Sequence, residues 1–142
     1  MSEEEQVADG RVIATSVAEA EFERFAESMD LDLDVSRMDA KELDEFKGLK
    51  RVVVRAMEHG RLVIDDKGQP IYTPQLGDSK PITFHEPDGA VLLSGDKKKA
   101  GENVAKTYAQ MAAMTKTSAE RFANMKGRDL KVCQALYLLF LA

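Results

Sequence analysis

From Val132 to Ala142 the chain carries no charged residue, and Leu136, Tyr137, Leu138, Leu139, Phe140 and Leu141 follow one another without a polar break. A surface helix of a globular protein keeps its apolar residues on one stripe, whereas here they surround the axis. A helix running from Asp129 to Ala142 therefore needs cover on every side. Either it is the central helix of a core, or one of its sides is given to a partner. The uncharged stretch is about half of the roughly 20 residues that span a bilayer, so no membrane crossing is expected.

The rest of the chain has to supply that cover, and most of it reads as amphipathic helix. Ser16-Val17-Ala18-Glu19 has capping-box spacing and predicts a helix start. Behind it Ala18, Phe22, Phe25, Ala26 and Met29 form a stripe at three- and four-residue steps. Asp30, Asp32 and Asp34 then alternate with Leu31, Leu33 and Val35, the period of a short edge strand or extended connector. A calcium loop is excluded by mechanism, because the sharp-turn position holds Val35 and the bidentate position Lys41. Asp39-Ala40-Lys41-Glu42, with Met38 and Leu43 placed as a staple, predicts a second helix to His59. Leu43, Phe46, Leu49, Val53 and Met57 are its expected buried face, and Gly60 its stop.

The pattern then changes to β. Leu62-Val63-Ile64, the turn Asp65-Asp66-Lys67-Gly68 and Ile71-Tyr72-Thr73 read as a hairpin with Gly68 at positive φ. After a loop broken by Pro74, Gly77 and Pro81, Ile82-Thr83-Phe84 can add a third strand. Ala90 to Lys99 suggests a short helix, whose Lys97-Lys98-Lys99 run is read as a solvated face. From Gly101, the residues Val104, Tyr108, Met111 and Ala112 trace a third amphipathic helix. Thr117-Ser118-Ala119-Glu120 offers a further capping box before Phe122 and Met125, with Gly127 closing that helix. The expectation is one α+β domain, predominantly helical, with amphipathic helices around a small hairpin-based antiparallel sheet. Residues 1–14 are assigned to a flexible acidic leader, and 15–142 to a single helical domain with the hairpin inserted near 61–85.

Charge and chemistry narrow the function. A net charge of −5 makes nucleic acid an improbable partner, because duplex binding draws on Lys and Arg neutralising phosphates, and it disfavours anionic membranes equally. The lone cysteine, Cys133, lies in an uncharged stretch with Val132, Gln134 and Ala135 and reads as a plain buried thiol. His59 and His85 sit in unrelated contexts and make neither a metal motif nor a nucleophile–base pair. No Gly-rich phosphate loop and no G-x-S-x-G is present in the sequence. A binding and assembly protein with no enzyme activity, cofactor or metal is expected.

In its order of features the stretch from Gly60 to Ala142 resembles the tail assembly chaperones of lambdoid phages with long, non-contractile tails. The resemblance rests on the hairpin Arg61-Leu62-Val63-Ile64-Asp65-Asp66-Lys67-Gly68-Gln69-Pro70-Ile71-Tyr72-Thr73-Pro74 and on Ile82-Thr83-Phe84-His85-Glu86-Pro87-Asp88-Gly89. Met111-Ala112-Ala113-Met114-Thr115 follows, then a close on Arg128-Asp129-Leu130-Lys131 with Leu139-Phe140-Leu141. The part through His59 has no counterpart in the resemblance.

The resemblance implies a protein that coats the helix-rich, apolar tape measure protein in the host cytoplasm until tail tube subunits polymerise around it. Such a protein is absent from the mature virion and is commonly made in two lengths by a programmed frameshift, of which this chain resembles the shorter. The partners so implied are the tape measure protein, the major tail tube protein and the longer frameshifted form. The exposed part of an apolar C-terminal helix adds homo-oligomerisation. Grooves between amphipathic helices suit such a client, and methionines adapt them to varied side chains. The candidate partner-binding residues are Met111, Met114 and Met125, with Leu136, Leu139 and Phe140 on the last helix. The alternative function is a structural virion subunit, in the neck or the tail tube.

Overall fold

A computed structural model describes residues 12–31, 34–89 and 103–141. Among these, five α-helices and one three-stranded antiparallel sheet give an α+β, mainly helical fold. The expected helix at Ala90–Lys99 and the central part of the Asp30–Val35 connector lie outside the described residues.

Helix α1, Thr15–Ser28, buries Ala18, Phe22, Phe25 and Ala26, the stripe that the sequence spacing marks out. Its start differs from the expectation. The N-cap is Ala14, with no side-chain cap, so Ser16 lies inside the first turn and its box does not form. A tertiary tether sets the start instead: the N–H groups of Val12 and Ile13 donate to the Glu58 carbonyl, and Thr15 Oγ1 donates to Glu58 Oε2 at 2.8 Å. Val12 to Ala14, assigned to the leader by sequence, are thus docked on the end of the next helix.

That helix, α2, spans Ala40–Glu58 and follows a single 3-10 turn at Val35–Arg37. Asp39 caps it as expected, its Oδ1 accepting from Glu42 N at 2.8 Å, and Gly60 beyond its end has φ 73°. Burial along α2 is uneven. Val53, Val54, Ala56 and Met57 are buried, but Phe46, Leu49 and Val52 are only partly covered and Leu43 is half-exposed.

Strands β1 (Leu62–Ile64), β2 (Pro70–Tyr72) and β3 (Ile82–Thr83) pair in that order, with Leu62 opposite Tyr72 and Ile71 opposite Thr83. Leu62, Ile64, Tyr72 and Ile82 face the core while Val63 faces water, as the period of two requires. The hairpin turn is closed by Asp65 Oδ1, which accepts from Lys67 N at 2.9 Å and Gln69 N at 2.8 Å.

Helix α3, Asn103–Thr115, buries Met111, Ala112 and Met114, but Val104, expected on the same stripe, is exposed. Helix α4, Ala119–Ala123, is capped by Ser118 rather than Thr117, because the Thr117 hydroxyl is engaged with that of Thr115 at 2.9 Å. Gly127 does not close α4, which ends at Asn124; it opens α5, Gly127–Leu141.

Helix α2 packs against α1 on one side and α5 on the other, β1 touches both α1 and α2, and α3 pairs with α4. A chain of edge-on rings, Phe46–Phe22–Phe25–Phe140, ties the three long helices together at centroid distances of 6.4, 6.2 and 5.5 Å. Cover of α5 is incomplete: Leu138 is 48% and Leu141 43% exposed, so the expected burial on all sides is corrected along that strip.

Candidate functional site

Uneven burial on α2 and the uncovered strip of α5 belong to one feature. The helices run antiparallel, with Phe46 and Leu49 beside Ala135 and Leu138, and Arg55 beside Arg128 and Val132. Val53 and Met57 of α2 and Leu136 and Leu139 of α5 all belong to the buried core. On the water-facing side the helix pair leaves an open groove of about 730 Å³. Its floor is apolar, from Met38, Phe46, Leu49 and Val52 on one wall and Ala135 and Leu138 on the other. Glu42 and Glu45 stand at one end of its rim, Arg51 and Lys131 at the other.

Sequence composition explains why the groove stays open. Gly48 lies on the exposed side of α2 with no heavy atom within 4 Å of where a Cβ would stand, so that turn contributes nothing to bridge the walls. On α5 the side chain that points outward, Leu138, follows directly after buried Tyr137 and precedes buried Leu139. An uninterrupted apolar run must present some members to water on a helix with 3.6 residues per turn.

The structure separates the partner-binding candidates. Met111, Met114 and Leu136 are buried in the core and offer no surface to a partner, which corrects their assignment as contact residues. Leu139 is also core, contributing only to the groove floor. Phe140 is turned inward, edge-on to Phe25. Met125 is half-buried with its sulfur 3.7 Å from Cys133 Sγ, and lines a separate shallow cleft beside Gly77 and Arg121. None of the three methionines lines the groove. Leu138, Phe46 and Leu49 take the place of these candidates. Their signal in the sequence was the same apolar spacing that marks a core face, which cannot distinguish a covered from an uncovered turn.

Three features of the described residues bear on chemistry. Asp129 is wholly buried, and its carboxylate accepts from Tyr72 Oη at 2.6 Å, Gln75 N at 2.7 Å and Leu76 N at 3.1 Å. It serves as a structural knot that ties the first turn of α5 to β2 and the following loop. Burial, then the Asp129 hydrogen bond and charge, push the Tyr72 phenol far above its ordinary value. Burial pushes the Cys133 thiol up from 9.0 to about 12, against any role as a nucleophile. His59 ends α2 while His85 follows β3 and lies 3.3 Å from Gln69 through Nδ1, so the two imidazoles belong to different elements. Among the described residues no group of three or more His, Cys, Asp or Glu is arranged to hold a metal ion, and no helix is long and apolar enough to cross a membrane.

The geometry therefore offers a binding surface: an elongated apolar groove with charged ends, built on the two longest helices. Comparison with protein-family models, with curated proteins and with solved structures finds no match to this chain.

Proposed function

We propose that this protein is a non-catalytic tail assembly chaperone of a long-tailed phage, which holds apolar helical segments of the tape measure protein in the host cytoplasm and helps recruit the major tail tube protein. The supporting observation is the α2–α5 groove, whose apolar floor is exposed to water along the side of the helix pair. A helix satisfies its own backbone hydrogen bonds and can lie on such a floor without leaving polar groups unpaired, so an amphipathic helix is the natural occupant. A tape measure protein is a long series of such helices and needs cover until the tube encloses it. On this reading the protein self-associates along its client, joins the longer frameshifted form there, and leaves before the virion is complete.

Co-expression with the tape measure protein of the same phage is the test. The expected result is a soluble complex that Leu138→Glu disrupts, since Leu138 lies on the groove wall and is exposed enough to accept a charge while the fold persists. A tape measure protein that is equally insoluble with and without this chain overturns the proposal. So does recovery of the protein at stoichiometric levels from purified virions, which is the result expected of a neck or tube subunit.

A further inference from the structure

The groove continues past the end of its apolar floor. Arg51, Val52 and Lys131 line both the groove and an adjoining cleft of about 600 Å³ on the same α2–α5 seam. In that cleft Arg55, Arg61 and Arg128 join Arg51 and Lys131, and no carboxylate lines it. None of these five cations makes an ion pair with a carboxylate among the described residues. Leaving them unpaired is notable in a chain whose net charge is −5. At the opposite end, the first turns of α2 place Glu42, Asp44 and Glu45 along the groove. The result is one trough, acidic at the start of α2, apolar in the middle and cationic at its end. From Glu42 to His59, at ~1.5 Å per residue, it is about 25 Å long, the length of a helix of about 17 residues.

We infer that the trough seats a single amphipathic α-helix of another protein, and that charge sets its direction: a basic end over Glu42–Glu45, an apolar stripe over Phe46, Leu49 and Leu138, and an acidic end over Arg55 and Arg128. The inference rests on the groove being a client site, as proposed above, and adds which helices it accepts and which way they lie. The described residues of a second copy offer no such helix: outside the trough their exposed large apolar residues are Val12, Val17, Val35, Val63, Leu76, Val104 and, in the last turn of α5, Leu141, and none of these builds an outward stripe along a described helix. Nucleic acid fits poorly as well, because phosphates that meet the five cations would run on over an apolar floor and then onto three carboxylates. Opposite charges at the two ends act mainly on register and orientation, the usual role of electrostatic complementarity across an interface.

The test uses three fluorescein-labelled helical peptides of about 18 residues with one apolar stripe: a bipolar peptide with a lysine block at one end and a glutamate block at the other, an all-lysine version and an all-glutamate version. Anisotropy with the full chain should rank the bipolar peptide first. Arg55→Glu/Arg128→Glu, at two exposed positions, should weaken the bipolar peptide about tenfold or more and tighten the all-lysine peptide, a rescue that general loss of structure cannot produce. Circular dichroism checks the fold, and Lys131→Glu with Arg61→Glu is the second pair should the first be unstable. Equal affinity of the charge-reversed pair for the bipolar and all-lysine peptides, with Leu138→Glu still abolishing binding, overturns the charge code and leaves the client groove standing. Failure of the unaltered protein to bind any of the peptides while it still holds the tape measure protein also overturns the inference. If neither binds, the proposed function falls with it. Preferential binding of a single-stranded oligonucleotide, or charge-reversed variants that change only the oligomeric state, overturns the inference in favour of nucleic acid or a second copy.

Discussion

Asp129 gathers its donors from a single segment more than fifty residues away in sequence, the Tyr72 side chain and the backbone of Gln75 and Leu76. Each would be a buried or half-buried polar group with no acceptor if the carboxylate were removed. At roughly 1–3 kcal/mol per orphaned group, Asp129→Ala should cost about 3 kcal/mol or more in urea unfolding, and Tyr72→Phe about 1–2 kcal/mol because only one bond is lost. The same knot makes the protein sensitive to alkali. Burial first, and then Asp129, raise the Tyr72 phenol above its unfolded value, and burial raises the Cys133 thiol to about 12. For groups raised in this way the stabilisation is complete below the unfolded values and drains as pH rises toward the folded ones. The melting temperature should therefore hold up to about pH 9 and fall between roughly pH 9 and 12. Cys133 should also resist a thiol reagent at pH 8 in the native state and react promptly once the chain is unfolded. Rapid reaction of the folded protein would show that α5 opens in solution.

At the scale of elements, local signals that act within one turn were legible in the sequence, and those settled by a distant contact were not. Asp39 and Gly60 bound α2 as their chemistry dictates, and the hairpin forms with Gly68 at φ 80° as expected. The Ser16 box failed because Glu58, from another helix, holds the chain at Val12, Ile13 and Thr15. The Thr117 box slipped by one residue because Thr115 engages its hydroxyl. Asp129 had no legible role, since an acid in the first turn of a helix ordinarily answers the helix dipole, and its true donors lie more than fifty residues away. The turn at Gly68 also supports α1 from outside. Arg24 donates to the carbonyls of Ile64 and Asp65 at 2.7 and 2.8 Å, and a Cβ on Gly68 would stand 1.9 Å from Ser28 Oγ. Gly68→Ala meets both a left-handed backbone, worth about 1–2 kcal/mol, and that clash. It should destabilise by at least about 2 kcal/mol in thermal unfolding, whereas Gly77→Ala, also at positive φ but with no atom within 4 Å, should cost only the backbone part.

For the molecule as a whole, the uncharged α5 sequence left two outcomes open, core helix or partner surface, and the structure divides the helix between them residue by residue. Leu139 lies in the core, against which Phe140 packs through Phe25, while Leu138 between Tyr137 and Leu139 faces water along the trough. A charge placed on neighbouring residues should therefore have opposite consequences. Leu139→Glu buries a carboxylate with no partner and removes a contact worth roughly 1.5–3 kcal/mol, so circular dichroism should show loss of the fold or a steep fall in melting temperature. Leu138→Glu exposes its carboxylate to water and should keep native helicity, with a stability change within about 0.5 kcal/mol, the usual range for a surface substitution. What Leu138→Glu should lose is the client, read as failure to keep the tape measure protein soluble. Native helicity in Leu139→Glu would mean that α5 can rotate about its axis, so that core and trough residues exchange places. Full client binding by Leu138→Glu would move the binding surface off the α2–α5 trough altogether.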